Sequence, residues 1–320
     1  MIENILLLIV GFVFLIKGAD LFVDGSSSTA MHLKISKIII GLTIIAFGTS
    51  APEFAVSLKS ISLENHDIVI GNVLGSNILN ILLIIGCSSL VHSLNVKDST
   101  VKKELPFLLI ITTILSVLLL DSVFFKGNVN NFTRLDGTIV FLIFLVFIAY
   151  IIKTTIKDKK SEINKYEKPK YKISISIIFI AIGIVMIVLG SNFVVESATF
   201  LAKSIGVSDK LIALTVIALG TSLPELVTSV MATKKGEYDL AIGNVVGSNI
   251  FNIGLVLGFP VMVFGGAKGV SFNYIDVIVM FLSVVLFFIF SLKDKKIKKW
   301  EGCIFLLFFI LYYGYVIISG

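Results

Sequence analysis

The sequence predicts an all-α polytopic membrane protein: ten transmembrane helices arranged as two inverted five-helix repeats, with broken helices 2 and 7. Three observations carry that expectation. Of 320 residues, 56% are hydrophobic and only 15% charged, whereas a soluble domain of this size carries about a quarter charged residues. Apolar runs of roughly 18 or more residues recur along the whole chain, and in lipid such runs can satisfy their backbones only as helices. Finally, one stretch occurs twice. Residues 36–86 and 208–258 align at a constant offset of 172 without a gap, and 25 of the 51 positions are identical. Self-similarity at this level marks an internal repeat.

Taken in order, the spans are expected at about 4–24, 38–60, 67–91, 105–121, 136–153, 173–195, 210–233, 239–264, 274–292 and 301–318. The first run carries Lys17 and Asp20 and has no small-residue cleavage site, so it reads as a span rather than a signal peptide. Gly48 and Pro52 interrupt span 2; Gly220 and Pro224 interrupt span 7. Spans 4, 5, 9 and 10 read as scaffold without intramembrane acids. The halves divide as residues 1–152 (first repeat), a charged linker at 153–172, and residues 173–320 (second repeat). That linker holds eight lysines, yet about 20 residues are too few for a domain.

Orientation follows from the basic residues. Loops 1–2, 3–4, 5–6, 7–8 and 9–10 together hold 20 Lys/Arg and the opposite loops only 6. The positive-inside rule then places the lysine-rich side, including the 153–172 loop, in the cytoplasm and both termini outside a plasma membrane. Five spans per half is an odd number, so the second copy must cross in the opposite sense. Inverted repeats of this kind place substrate sites near the midplane on discontinuous helices. The net charge of +6 lies in short loops between apolar runs, which argues against nucleic acid. Cys87 and Cys303 fall within apolar spans and suggest neither a disulfide nor a metal site. No protein partner is evident.

The repeated stretch contains Ala46-Phe47-Gly48-Thr49-Ser50-Ala51-Pro52-Glu53 and Ala218-Leu219-Gly220-Thr221-Ser222-Leu223-Pro224-Glu225. Ionisable residues inside a membrane are expensive and mark functional sites. Proline removes a backbone donor, so the chain upstream of Pro52 is expected to unwind and free the carbonyls around Ala46–Thr49. Carbonyls, hydroxyls and two carboxylates, Glu53 and Glu225, make an all-oxygen set suited to a hard cation such as Ca²⁺. The following motif, Gly71–Asn80 and Gly243–Asn252, adds Ser76 with Asn80 and Ser248 with Asn252, each pair sharing a helix face at i, i+4. Gly71 with Gly75, and Gly243 with Gly247, form small-xxx-small pairs that permit close helix approach. His32, His66 and His92 fall at span ends, which argues against zinc or copper.

Plainer readings compete. Ser50 to Glu53 also fits a helix capping box. Ser76, Asn80, Asn77 and Asn249 could be interhelical hydrogen-bond glue. Asp20, Asp24 and Glu196 lie near span ends and read as structural, with Lys17 placed to pair with Asp20.

At these residues the sequence resembles the cation/calcium exchanger superfamily, and in particular its prokaryotic sodium/calcium exchanger branch. The signature is GTSxPE paired with GNxxGSNIxNI, present in both halves. The resemblance implies a secondary antiporter exchanging Ca²⁺ for Na⁺ by alternating access, not an enzyme, with the transported ions and no cofactor. It implies Glu53 and Glu225 as central ligands, assisted by Thr49, Thr221, Ser50, Ser222, Ser76, Ser248, Asn80 and Asn252, with the carbonyls of Ala46 and Ala218 contributing to sodium sites. It also implies that spans 1 and 6 slide across the rest. One departure stands out: family members often carry aspartate at one of the positions held here by Asn80 and Asn252. The site therefore has only two formal negative charges, which leaves sodium stoichiometry and potassium dependence open. A Ca²⁺/H⁺ or cation/H⁺ antiporter on the same scaffold is the alternative, and a cation channel lined by Glu53 and Glu225 is another. An intramembrane enzyme is disfavoured, because no histidine or lysine accompanies Ser50 or Ser222 and HExxH is absent.

Overall fold

The computed structural model describes residues 1–124, 132–161, 168–206, 218–267 and 273–319. The described chain is almost entirely helical. In chain order the helices are α1 (Ile2–Leu33), α2 (Lys37–Thr49), α3 (Ala51–Ser62), α4 (His66–Val91), α5 (Thr100–Leu120), α6 (Arg134–Ile156) and α7 (Ile173–Ser204). The remainder are α8 (Ala218–Thr221), α9 (Leu223–Lys234), α10 (Tyr238–Phe264), α11 (Tyr274–Asp294) and α12 (Lys299–Ser319). Among the described residues eight helices are long and apolar enough to cross a membrane, and the bent pair α2–α3 makes a ninth span. Residues 210–217 of the seventh expected span lie outside the described residues.

Burial sorts the helices into layers. The most apolar windows of α4 and α10 are 72% and 83% buried, whereas those of α1, α7 and α12 are 28%, 22% and 17% buried. The two motif-bearing helices are thus the centre of the bundle. Helices α1 and α7 lie outside it and pack on each other through facing glycines. A Cβ on Gly18 would lie 2.8 Å from Met186 Cβ, and one on Gly183 would lie 2.8 Å from the Gly18 carbonyl. In lipid no hydrophobic force draws helices together, so such backbone-to-backbone contact supplies the packing. Gly243 and Gly247 likewise admit Ile38–Leu42 and Ala46 of α2. At the same offset, residues 210–214, the counterparts of Ile38–Leu42, lie outside the described residues.

The helix break is tighter than the sequence suggests. In the first copy it is confined to Ser50 (φ −85°, ψ 3°), and among the described residues of the second copy the helix is interrupted at Ser222 (φ −90°, ψ 3°). Ser50 N still donates to the Ala46 carbonyl at 2.9 Å, and a new helix starts with Pro52 in its first turn. Proline is tolerated there because the first-turn N–H groups have no intrahelical partner in any case. The outcome is a 48° bend between α2 and α3 in place of an unwound stretch. A second set of irregularities comes in π-helical turns over Gly41–Ile45, Asn80–Ile85, Thr100–Glu104 and Asn252–Gly258. Two of them begin at the motif asparagines.

The five lysine-rich loops gather on one face. Lys37 pairs with Glu237 (2.9 Å), Lys97 with Asp239 (2.5 Å) and Lys295 with Asp98 (2.5 Å). A two-stranded ribbon, β1 (Leu94–Asn95) with β2 (Lys296–Ile297), joins loops 3–4 and 9–10. Lys235 reaches Asp20 (2.8 Å) and Asp24 (2.5 Å), and Lys170 also reaches Asp24 (2.9 Å). Asp20 is therefore paired through tertiary contact with Lys235. The expected Lys17–Asp20 neighbour pair spans one turn of α1 and does not supply that contact. At the opposite face Phe132 bridges Ala267, and Arg134 donates to the carbonyls of Met262 (2.7 Å) and Val263 (3.2 Å).

The scaffold spans do contain acids. Glu104, 4% exposed, accepts a short hydrogen bond from Tyr150 of α6, and Asp276 in the first turn of α11 accepts from Tyr312 of α12 at 2.9 Å. Each acid lies at a helix start and is answered by a phenol from the next span, which fits a structural tie.

The gathered loops have a measurable consequence. With Cys87 and Cys303 replaced, single cysteines at Lys103, Lys172 and Lys299 should react with an impermeant maleimide from one and the same side. A cysteine at Leu63 should react from the other, and mixed sidedness among the first three would contradict the fold.

Candidate cation-binding site

Four elements bring the motif residues together. The α2–α3 break carries Ala46, Thr49, Ser50 and Glu53; the α8–α9 break carries Ala218, Thr221, Ser222 and Glu225. Helix α4 carries Ser76 and Asn80, and α10 carries Ser248 and Asn252. The packing is crossed between halves. The π turn starting at Asn80 lies against α9, while the one starting at Asn252 lies against α3.

Both carboxylates are buried, each residue only 1% exposed. Ser50 Oγ donates to Glu225 Oε1 at 3.1 Å, a direct bond from one half to the other. Thr49 Oγ1 lies 3.1 Å from Asn244 Oδ1 and 3.5 Å from Ser248 Oγ, again across the halves. It is also 3.1 and 3.3 Å from the carbonyls of Ile45 and Ala46. The Ala46 carbonyl is thus engaged by Ser50 N and within reach of Thr49. Ala218 opens α8, and Thr221, half-buried, closes it.

What stays unpartnered is more telling. Glu53 Oε1 and Oε2, Glu225 Oε2, Ser222 Oγ, Asn80 Oδ1 and Asn252 Oδ1 are all buried without a hydrogen-bond partner. Nearly all buried polar atoms in folded proteins are bonded, and each orphan costs about 1–3 kcal/mol, more when charged. These six oxygens, with no lysine or arginine bonded to them among the described residues, form an electron-rich set. Among the described residues no group of three or more His, Cys, Asp or Glu could hold a metal ion, so the charge rests on two carboxylates and the rest is neutral oxygen.

The capping-box reading fails on geometry. Neither Ser50 nor Ser222 caps its helix through its side chain. Ser50 points instead at the opposite half's glutamate, and both Glu53 oxygens remain open. Of the asparagines read as glue, Asn249 spends its amide on the Val245 carbonyl at 3.0 Å, whereas Asn77 has no partner for either amide atom.

Sequence reasoning passed over a second tier. Asn244 Nδ2 donates to the Glu225 carbonyl (3.3 Å) and to Ser229 Oγ (2.9 Å). Asn72 repeats the pattern with the Glu53 carbonyl and Ser57 Oγ, both at 3.4 Å. These asparagines fasten each glutamate-bearing turn to the central helix beside it. The signal was present, because all four residues are identical in the two copies. Ser191 of α7 had no such signal. Its hydroxyl donates at 2.8 Å to the Gly220 carbonyl, which is the acceptor that Pro224 leaves without an i+4 donor. At the same offset the first half has Ala19.

Comparison with known proteins decides the family. Residues 3–153 and 175–318 match the sodium/calcium exchanger protein family. The chain belongs to that family. This exchanger is 38% identical over 320 residues to a putative antiporter, CaxA, of Alkalimonas amylolytica, covering 98% of both chains. It is 31% identical to the sodium/calcium exchanger MaX1 of Methanosarcina acetivorans, covering 97% of both. Its fold matches a solved structure of the sodium-calcium exchanger NCX_Mj with a TM-score of 0.83 at 28% identity, covering 98% of each chain. The exchanger is thus a multi-pass membrane transporter of the cation/Ca²⁺ antiport class.

The second tier predicts unequal halves. Asn244→Ala should destabilise the exchanger by about 1–3 kcal/mol, since it removes the amide that donates to the Glu225 carbonyl and to the buried Ser229 hydroxyl. Asn72→Ala, whose bonds are longer, should cost less. Thermal unfolding in detergent measures both, and equal losses would mean the bond lengths carry no energetic information.

Proposed function

We propose that this exchanger carries Ca²⁺ in one direction and Na⁺ in the other, by alternating access about a single site. The observation that carries the reading is the pair of buried carboxylates, Glu53 and Glu225, with three of their four oxygens unpartnered among neutral oxygen groups. On this reading Glu53 and Glu225 bridge the calcium ion. Thr49, Thr221, Ser50, Ser222, Ser76, Ser248, Asn80 and Asn252 supply neutral oxygens, and the carbonyls of Ala46 and Ala218 join when sodium occupies the site. The two halves act as inverted repeats, residues 1–152 and 173–320. The lysine-rich face lies in the cytoplasm of a plasma membrane, with both termini outside. The cysteines described above would then react in intact cells only at Leu63.

Charge sets the energetics. Two ionised carboxylates balance one Ca²⁺, whereas three Na⁺ at the same ligands leave a net +1, because Asn80 and Asn252 contribute no charge. A three-for-one exchange therefore moves charge and feels the membrane potential by about 2.3 kcal/mol per charge per 100 mV.

Two experiments separate this reading from its rivals. Glu53→Gln and Glu225→Gln keep size but each removes half the anionic charge, so each should abolish calcium transport in a protein that still inserts. Ser76→Ala or Asn80→Ala should weaken calcium binding by a smaller step, about 1–3 kcal/mol. Normal transport by both glutamine variants would move the site elsewhere.

In proteoliposomes, an outward sodium gradient should drive calcium uptake, and an inside-positive potential should accelerate it. Indifference to the potential would indicate two-for-one exchange. Uptake that follows a pH gradient without sodium would assign the exchanger to proton coupling, and the absence of calcium counterflow would favour a channel.

A further inference from the structure

Helices α11 and α12 are tied together at both ends and part company between them. At the start of α11, Asp276 accepts from Tyr312, and Asn273 donates to Tyr315 at 2.6 Å. At its other end Phe290 packs on Trp300 and Phe305, with centroids 5.8 and 5.5 Å apart. The space left between is a groove of about 360 Å³. Its walls include Val279, Leu282, Leu286 and Ile289 of α11 and Phe308 of α12, and Leu82 of α4 lines it as well. Among the described residues Ser283 is the one polar side chain lining it, and its hydroxyl donates to the Met280 carbonyl at 2.7 Å. The described lining is otherwise apolar.

The ends differ in charge. Leu282, Leu286, Ile289 and Lys293 follow one another at i+3 or i+4, so Lys293 continues the groove's stripe by one turn onto the lysine-rich face. Lys296 follows directly; its neighbour Ile297 is fully buried, and strand alternation turns Lys296 outward. In this loop Lys295 is paired with Asp98 and Lys298 with Asp294, whereas Lys293 and Lys296 form no ion pair among the described residues. Trp300, half exposed, stands beside them, where an interfacial aromatic is expected. The far end of the groove carries an acid, Asp276, which disfavours an anion there.

We propose that this groove is a phospholipid site: an acyl chain lies between α11 and α12, and an anionic headgroup sits on Lys293 and Lys296. Unpaired lysines at a membrane surface attract anionic lipid, and the apolar cleft selects the chain. Leu82 belongs to the π turn that begins at Asn80, so the lipid would lie against the element that carries a candidate cation ligand.

Native mass spectrometry of the full-length chain tests this with phosphatidylglycerol and phosphatidylcholine of identical acyl chains. Phosphatidylglycerol should be retained in preference, and Lys293→Gln with Lys296→Gln should reduce its retention by about fivefold per lysine. Lys293 is exposed and Lys296 only half-buried, and glutamine keeps the length of most of the lysine stem, so the double variant should fold. Leu286→Trp, which fills the cleft, should remove the retained lipid while the thermal midpoint holds. Equal retention of the two lipids, or phosphatidylglycerol retention untouched by the double lysine variant, would overturn the proposal. So would a dimer, free of lipid, that Leu286→Trp dissociates, since the groove would then belong to a second copy of the chain.

Discussion

The constraint on which the rest of the structure depends is the presence of two carboxylates where water does not reach. Glu53 and Glu225 sit among some of the most deeply buried helices in the bundle, and most of their oxygens have no protein partner. Isolated charges in such a setting are prohibitive unless something neutralises them. On the proposed function that partner is a cation, and the surrounding groups are compatible with one. They offer hydroxyl and amide oxygens rather than lysine or arginine. The helix breaks at Ser50 and Ser222 place each glutamate in the first turn of a new helix, facing the other half.

The glutamate-bearing turns are fixed at their base. The holding falls to Asn72 and Asn244, which tie the backbone of each glutamate to the central helices α4 and α10. Around that core the less buried helices are peripheral. The α1–α7 pair packs through glycine contacts and reaches the core by separate ties, including Lys235 to Asp20 and Asp24, and Ser191 to the Gly220 carbonyl.

The halves share a sequence pattern but not every contact. Ser191 serves the carbonyl freed by Pro224, whereas its counterpart Ala19 has no hydroxyl for the carbonyl freed by Pro52. Lys235 clamps α1 on the lysine-rich face, and its counterpart is Leu63. Thr49 reaches Asn244 with a bond of 3.1 Å. A duplicated chain has therefore diverged in the residues that brace the breaks while keeping those that face the centre.

Much was legible before any coordinate. Long apolar runs forced helices, because a membrane leaves the backbone no other solution, and the 172-residue offset marked the carboxylates, hydroxyls and asparagines as one set. The identity of Asn72, Asn244, Ser57 and Ser229 across the copies was also there to be read, though their chemistry as fasteners was not. The extent of the break needed structure: proline states where a donor is missing, but whether the chain unwinds or restarts a helix depends on what surrounds it. Likewise Ser50 to Glu53 spells a capping box locally, and only the approach of Glu225 from the other half turned Ser50 away from it. The sequence by itself determined the helical, multi-pass fold class and the internal repeat, and singled out the residue types proposed for the site, since these follow from hydropathy and self-similarity. Which atoms meet, which carbonyl Ser191 covers and which lysine holds Asp20 were decided by tertiary structure. Those contacts join residues far apart in the chain, and no local propensity encodes them.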